Sequence, residues 1–310
     1  MTPEDSGEVP AVSLVICTRD RLASLKRSVE AALAIETTRE WELVVVDNGS
    51  SDGTSDYLRD LQASTGKQLL TVYQPHPGLG KARNAGWKAA RAPIIAFTDD
   101  DCYVAADYID AVISAFEPDP SIAAIGGRIL LYDPSDLNIC ITESTEPLVI
   151  QPYRFIPAGL VQGSNMAFRR GALAAIGGFD ERFGAGTNFP AEDIDAFAAL
   201  AWKGMSAAYD PRPVVYHHHG RKTASDLDRL SRAYDAGRGA YYAKYLLKRR
   251  SAVPYLKAWA QASRSELAGR GTAPHARREV ASAVRYLVSR LATSPQAKPP
   301  SRAARRTPPA

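Results

Sequence analysis

Cysteine is scarce in this chain: Cys17, Cys102 and Cys140 are the only three among 310 residues. They stand far apart, with neither CxxC nor metal-finger spacing. That excludes a disulfide framework and a zinc finger, and fits a reducing, cytoplasmic setting. Long apolar runs are missing too. No stretch approaches the roughly 18–20 residues that a membrane-spanning helix needs, and Met1–Pro10 is too polar and acidic to read as a signal peptide. The segment Gly78-Leu79-Gly80-Lys81-Ala82-Arg83-Asn84 fits neither GxxxxGK[ST] nor GxGxxG, which argues against a P-loop nucleotidase and a classical dinucleotide enzyme. An excess of one charge is also lacking: the formal net charge is +4, and no nucleic-acid partner is expected.

What is present is a 45% hydrophobic, 23% charged chain, long enough for one large α/β domain with a smaller appendage and no need of staples. Val12–Cys17, Leu43–Val46, Leu69–Tyr73 and Ile94–Phe97 read as buried strands. The helical stretches Leu22–Leu33, Ser55–Leu61 and Lys81–Ala90 lie between them. This alternation predicts a doubly wound, mostly parallel sheet covered on both faces. Ligands in such sheets bind beyond the carboxyl ends of the strands. There the chain places Thr18–Arg21, Asp47–Ser50, Gly78–Gly80 and Asp99–Asp101, all polar. Residues 121–170, broken by Pro134, Pro147, Pro152 and Pro157, are expected to add a strand or two and a mobile loop over the crevice. Helical patterning returns from Ser225 to about Ala292. Thr293–Ala310 is rich in Pro, Ala and Arg and is expected to be disordered.

Three clusters carry chemistry. Asp99-Asp100-Asp101 follows a buried strand directly, and compact oxygen donors suit a hard cation such as Mg²⁺ or Mn²⁺. A solvated acidic turn would use the same residues; the position at a strand's carboxyl end favours a site. Glu192-Asp193 opens a helix in which Ile194, Phe197 and Ala201 follow at helical spacing. A carboxylate there suits proton abstraction from a hydroxyl, and equally complements the helix dipole. His217-His218-His219 follows the β-like run Pro213–Tyr216. If it stays extended, His217 and His219 share a face and His218 points away, and imidazole pairs of this kind bind borderline metals. Arg83 is placed either to reach a phosphate or to be a solvated helix residue.

The order of the segments is more specific than any one of them. Val12–Arg19, then Val46-Asp47-Asn48-Gly49-Ser50-Ser51-Asp52-Gly53-Thr54, then Gly80–Gly86, then Asp99–Asp101, resembles the family 2 glycosyltransferases. Gly163–Arg169 and Gly177–Phe183, leading into Glu192-Asp193, do so too. The resemblance covers roughly Val12 to Thr223. It implies a GT-A fold and an inverting, single-displacement transfer from a nucleotide-diphosphate sugar to a hydroxyl, with Mn²⁺ or Mg²⁺ as cofactor. The acceptor would be a glycan or lipid-linked glycan, in bacterial-type surface polysaccharide synthesis.

By the same resemblance, Thr18, Arg19, Asp47 and Asn48 belong to the nucleoside side of the donor pocket, and Arg83 lies near the donor. Asp99 and Asp100 face the ribose or sugar, and Asp101, with Asp99, holds the metal. His217 and His219 add metal or diphosphate contacts, while Gly163 and Asn165 meet the donor sugar. Asp193 is the general base, with Glu192 beside it. One position departs from the pattern. The family often has a second aspartate where this chain has Asn48, so a UDP-sugar is favoured while dTDP and GDP donors stay open.

A sugar nucleotidyltransferase is disfavoured, since Cys17–Arg21 has none of that class's glycines. A degenerate, non-catalytic subunit would have lost the triplet or Asp193. The expected organisation is a catalytic domain over 1–224, with a nucleotide-binding half at about 10–120 and an acceptor half at about 121–224. A helical extension over 225–292 and a basic tail over 293–310 follow. Arg238–Arg250 interleaves Tyr241, Tyr242, Tyr245, Leu246 and Leu247 with five cations. That suits peripheral contact with the inner face of a membrane, or a helix whose tyrosines pack on the catalytic domain.

Overall fold

The computed structural model of the chain describes residues 8–65, 68–270 and 274–292. The expected tail, 293–310, lies outside the described residues. The first half alternates β1 (Val12–Thr18), α1 (Leu22–Leu33), β2 (Trp41–Asp47), α2 (Thr54–Thr65), β3 (Leu69–Tyr73), α3 (Leu79–Ala89) and β4 (Ile94–Asp99). There follow β5 (Cys102–Val104), α4 (Tyr108–Phe116), β6 (Ile122–Leu131), β7 (Leu148–Ile150), β8 (Asn165–Arg169) and α5 (Arg170–Ile176). The rest comprises α6 (Glu192–Trp202), β9 (Ser206–His217), α7 (Ala224–Leu246), α8 (Ala252–Arg270) and α9 (Pro274–Ala292).

All these strands join one sheet in the order β3-β2-β1-β4-β8-β6-β9-β5, with β7 also on β9. Strands β3, β2, β1, β4, β6 and β9 run one way; β8, β5 and β7 oppose them. The mostly parallel, doubly wound sheet read from the sequence is the one observed. In register, Cys17 stands beside Asp99, and Thr18 beside Asp47. The polar segments thus emerge at one end of the sheet.

Strand alternation sorts the core into two layers. Leu14, Ile16, Leu43 and Val45 pack with Leu25 and Val29 of α1 and Ile109 and Val112 of α4. Val15, Val44 and Val46 face the other way, toward α3. α3 lies almost against the sheet, because a Cβ at Gly86 would stand 2.5 Å from Val15 Cγ1.

The second layer continues without a break into α7–α9. Tyr241, Tyr245, Tyr255 and Tyr286 are fully enclosed in the same cluster as Phe168, Phe183 and Phe197. Tyr245 and Tyr255 stack with ring centroids 4.8 Å apart. Of the two readings of Arg238–Arg250, the packed helix is the one observed for the tyrosines: Tyr241, Tyr242 and Tyr245 are buried, with the Tyr241 and Tyr245 hydroxyls donating to the Ile156 and Asp195 carbonyls. Closeness is set by glycine again. A Cβ at Gly237 would collide with the Pro190 carbonyl, four residues before Ile194 on α6.

Candidate active site

The polar strand ends line a cleft of about 670 Å³. On the β1 side, Thr18 Oγ donates to Asp100 Oδ2 at 2.7 Å. Arg21 reaches the same carboxylates from the turn after β1: its guanidinium is 3.0 Å from Asp100 Oδ1 and 2.8 Å from Asp101 Oδ2. Arg21 was not singled out in the sequence, where an arginine in a polar turn looks solvated. Arg19 is exposed at the cleft's edge. Burial pushes Asp100 up to about 7 against the pull of Arg21 and Thr18. For Asp101 burial works the same way, but His217 and Arg21 outweigh it and hold that carboxyl well below the usual carboxylate range.

His217 closes β9, and its Nε2 lies 3.5 Å from Asp101 Oδ1. Its Nδ1 faces the Cys140 carbonyl at 3.3 Å. A metal-binding histidine characteristically gives its second nitrogen to such a carbonyl. Asp101, Cys102 and His217 offer ligand atoms within 4.8 Å of one another. Burial keeps the Cys102 thiol protonated well above its ordinary value. The donors that fit a hard or borderline cation are therefore the carboxylate and the imidazole. Asp99 is partly open to the cleft, with one oxygen held by Arg83.

His219 does not join them. His217 and His219 do lie together, ring centroids 5.2 Å apart. However, His219 Nδ1 accepts from the Arg221 N–H and its Nε2 faces the Leu137 carbonyl. With one nitrogen accepting and the other donating, no lone pair is left for a metal. The expected metal role of His219 is corrected to fixing the segment after β9. His218 turns to Tyr103, whose hydroxyl is 2.9 Å from its Nδ1. Nearby, the Lys222 ammonium donates to Asp133 at 2.9 Å, and Asp136 accepts from the Gly220 N–H through Oδ2 while its Oδ1 is buried 3.7 Å from the same ammonium.

Arg83 is the largest departure from the sequence reading. It is 1% exposed, and its guanidinium donates to Glu192 Oε1 at 2.6 Å, Asp99 Oδ1 at 3.1 Å and the Gly163 carbonyl at 3.1 Å. Its contacts are all internal, so it braces carboxylates instead of reaching for a phosphate. Gly163 is required here, since a Cβ would meet that guanidinium at 2.5 Å. Burial raises Glu192 to about 7 despite Arg83, with Asp193 adding to the rise. Asp193 sits at the cleft wall in the first turn of α6; its Oδ2 accepts from the Gly163 N–H at 2.8 Å.

Three other donor-side residues are bonded internally. Asn48 spends both amide protons on the Gln74 and His76 carbonyls, and its oxygen accepts from Gly78. It ties down the loop before α3, and its oxygen keeps a second lone pair for accepting a hydrogen bond. Asp47 is 3% exposed and caps its own turn through Ser50 N–H and Ser55 Oγ. Asn165 is 1% exposed and stitches β8 to its neighbours through Tyr108 and the Arg128 and Pro213 carbonyls. It lies inside the sheet and not at the sugar. The far wall of the cleft was not foreseen: Leu230, Ala233 and Tyr234 of α7 line it. The Tyr234 hydroxyl meets Cys140 Sγ, bridging α7 to the loop after β6.

A doubly wound sheet with an acidic triplet at β4, an acidic helix start opposite it and a histidine closing β9 defines a GT-A type glycosyltransferase scaffold. The profile described as "Glycosyl transferase family 2" matches residues 13–177. The chain belongs to this family. Among curated relatives, it is 33% identical over 136 residues to a validoxylamine A glucosyltransferase of Streptomyces hygroscopicus subsp. jinggangensis, which is 43% of this chain and 32% of that protein. It is 26% identical over 180 residues to a glucosyl-dolichyl phosphate glucuronosyltransferase of Haloferax volcanii, covering 56% of this chain and 57% of that one. The chain thus spans about a third of the length of the first of these and just over half of the second.

Among solved structures, it resembles the mannosyltransferase PcManGT of Pyrobaculum calidifontis, described in complex with GDP-Man and Mn²⁺. The TM-score is 0.60 at 19% identity, over 91% of this chain and 88% of that one. At that identity the likeness speaks for the fold.

Proposed function

We propose that this chain transfers a sugar, with inversion, from a nucleotide-diphosphate donor to a hydroxyl of a glycan or lipid-linked glycan. The observation that carries this reading is the convergence of the triplet and the Glu192-Asp193 helix start on one cleft, with Arg83 joining Asp99 to Glu192. Donor-side and base-side carboxylates are thereby held at a fixed separation.

Asp101 and His217, with Asp99 adjoining, would hold Mn²⁺ or Mg²⁺, which when bound supplies positive charge against the diphosphate. Arg19 and Arg21, at the open edge of the same group, add guanidinium donors suited to phosphate oxygens. Asp193 takes the proton from the acceptor hydroxyl, and the Gly163 N–H fixes the carboxylate's orientation. General base action of this kind contributes about 10²–10⁴-fold. Glu192 stands behind it as a positioning group. Asn48 Oδ1 accepts one bond, from the Gly78 N–H, and an amide oxygen can accept a second from a base N–H; UDP-, dTDP- and GDP-sugars are the donors to try. Surface polysaccharide synthesis is the setting this reading favours.

The test is a thermal-shift screen of UDP, dTDP and GDP with Mn²⁺, followed by hydrolysis of the matching radiolabelled nucleotide sugar. One diphosphate should raise the melting point only when metal is present, and its sugar should be released slowly. Metal-dependent binding with no turnover of any sugar would instead make the chain a non-catalytic binding subunit.

A further inference from the structure

From Lys248 to Ala292 the chain has ten Lys and Arg but only two acids, Glu266 and Glu279. Both acids are engaged inside the helical layer. Glu279 is buried between Arg238 and the Trp259 indole N–H. Glu266 accepts from the backbone N–H groups of His275 and Ala276. The outward charge of α8 and α9 is therefore positive. Residues 1–247 carry the opposite excess, 32 acids against 24 bases.

The same helices expose apolar stripes. On α9, Val280, Val284, Leu287, Val288 and Leu291 are 36–78% exposed, and their spacing of 4, 7, 8 and 11 residues puts them along one side. The other side holds the buried Glu279, Ser282, Ala283 and Tyr286. On α8, Val253, Leu256 and Leu267 are 54–58% exposed, and their spacing again falls on one side. Helical geometry sets Lys257 and Arg264 at the border of the α8 stripe, and Arg285 at a border of the α9 stripe; all three are exposed. An apolar stripe this long on a soluble surface marks a contact.

We infer that the α8–α9 face docks on an anionic lipid bilayer, the apolar stripes entering the headgroup boundary and the bordering cations meeting lipid phosphates. Amphipathic helices with a basic border bind membranes in this way. The charge pattern selects the occupant. In a symmetric pair of chains a patch meets itself, which would bring these cations face to face with no acid between them. The segment 293–310 adds four more cations and no acid, so it is repelled by the same border. The acidic excess of 1–247 adds no attraction to an anionic surface, which leaves α8 and α9 as the contacting face. This inference is independent of the glycosyl-transfer reading.

Flotation of the full chain with phosphatidylcholine vesicles, with and without phosphatidylglycerol, tests it. The chain should float with the anionic vesicles only, and less so at high salt. Val284→Glu with Leu291→Glu should lower that binding at least about tenfold. Lys257→Glu with Arg285→Glu, which spares the apolar stripe, should do the same. These side chains are exposed, so the melting temperature and nucleotide binding should hold as fold controls. Absence of flotation, equal flotation with both vesicle types, or unchanged flotation of both variants would overturn the inference. So would a dimer, seen by sedimentation, that the Val284/Leu291 variant dissociates, since a second copy would then cover the stripe.

Discussion

The Arg83 guanidinium meets the Glu192 carboxylate at 2.6 Å, with the two side chains 2% and 8% exposed. Replacing Arg83 by Met would leave Glu192 and Asp99 close together without their shared cation. Breaking a buried pair from one side costs about 3–5 kcal/mol, so a clear drop in the urea midpoint is expected. Arg83→Lys keeps the charge but loses the fork and should fall between. If the Met variant is as stable as the parent, the brace is not structural.

Asp101→Ala should remove metal-dependent binding of nucleoside diphosphate, measured calorimetrically with and without Mn²⁺. The loss follows from deleting the carboxylate that His217 faces. Unchanged binding, or full transfer by the parent chain in EDTA, would show that the site works without a cation.

Asp193→Asn is nearly isosteric and should leave donor affinity intact while turnover falls at least about 10²-fold. Loss of affinity with turnover preserved at saturation would mark Asp193 as a binding residue.

The three histidines should separate by measurement. His217→Ala should weaken Mn²⁺ binding in the presence of nucleoside diphosphate. His219→Ala should lower the melting temperature with little change in metal affinity, because its nitrogens serve Leu137 and Arg221. His218→Ala should leave metal affinity unchanged. A metal defect at His219 equal to that at His217 would restore it as a ligand.

Lys244 holds Asp180 at 2.8 Å and Asp195 at 2.6 Å, tying α7 to α6. Lys244→Met should cost about 3–5 kcal/mol. Burial works against the charge on Asp180, but Arg182 and Lys244 outweigh it and hold its pKa below the ordinary value. Its stabilising contribution is thus present above about pH 4 and lost as pH falls through the folded value. Denaturant midpoints from neutral pH to pH 3 should therefore fall less steeply in the variant.

Much of the nucleotide-binding half was legible because its signals are local. Val12–Cys17 and Leu69–Tyr73 are β-branched or apolar runs, and Leu22–Leu33 has the bounds observed for α1. The triplet and the acidic helix start were legible as carboxylates at element ends. Arg21 was not, since its partners lie about 80 positions away and only the sheet register brings them close. For Arg83 the sequence offered a phosphate contact or a solvated residue and no sign of a buried brace, since its partners lie far along the chain, whereas α3 buries Gly80, Ala82, Arg83, Asn84 and Gly86 together. Strand alternation did place His219 beside His217, but it says nothing of the Leu137 carbonyl and the Arg221 N–H that occupy the two His219 nitrogens.

The bare α-carbon of Gly237 has a consequence for inheritance. It lets α7 press on the backbone at Pro190, just ahead of the acidic helix start, while Tyr234 one turn earlier forms cleft wall. A lineage cannot trade the helical extension for another module and keep this cleft, because the exchange would remove a wall and release the Pro190 segment together. A chimera that replaces α7 therefore replaces part of the cleft wall with it.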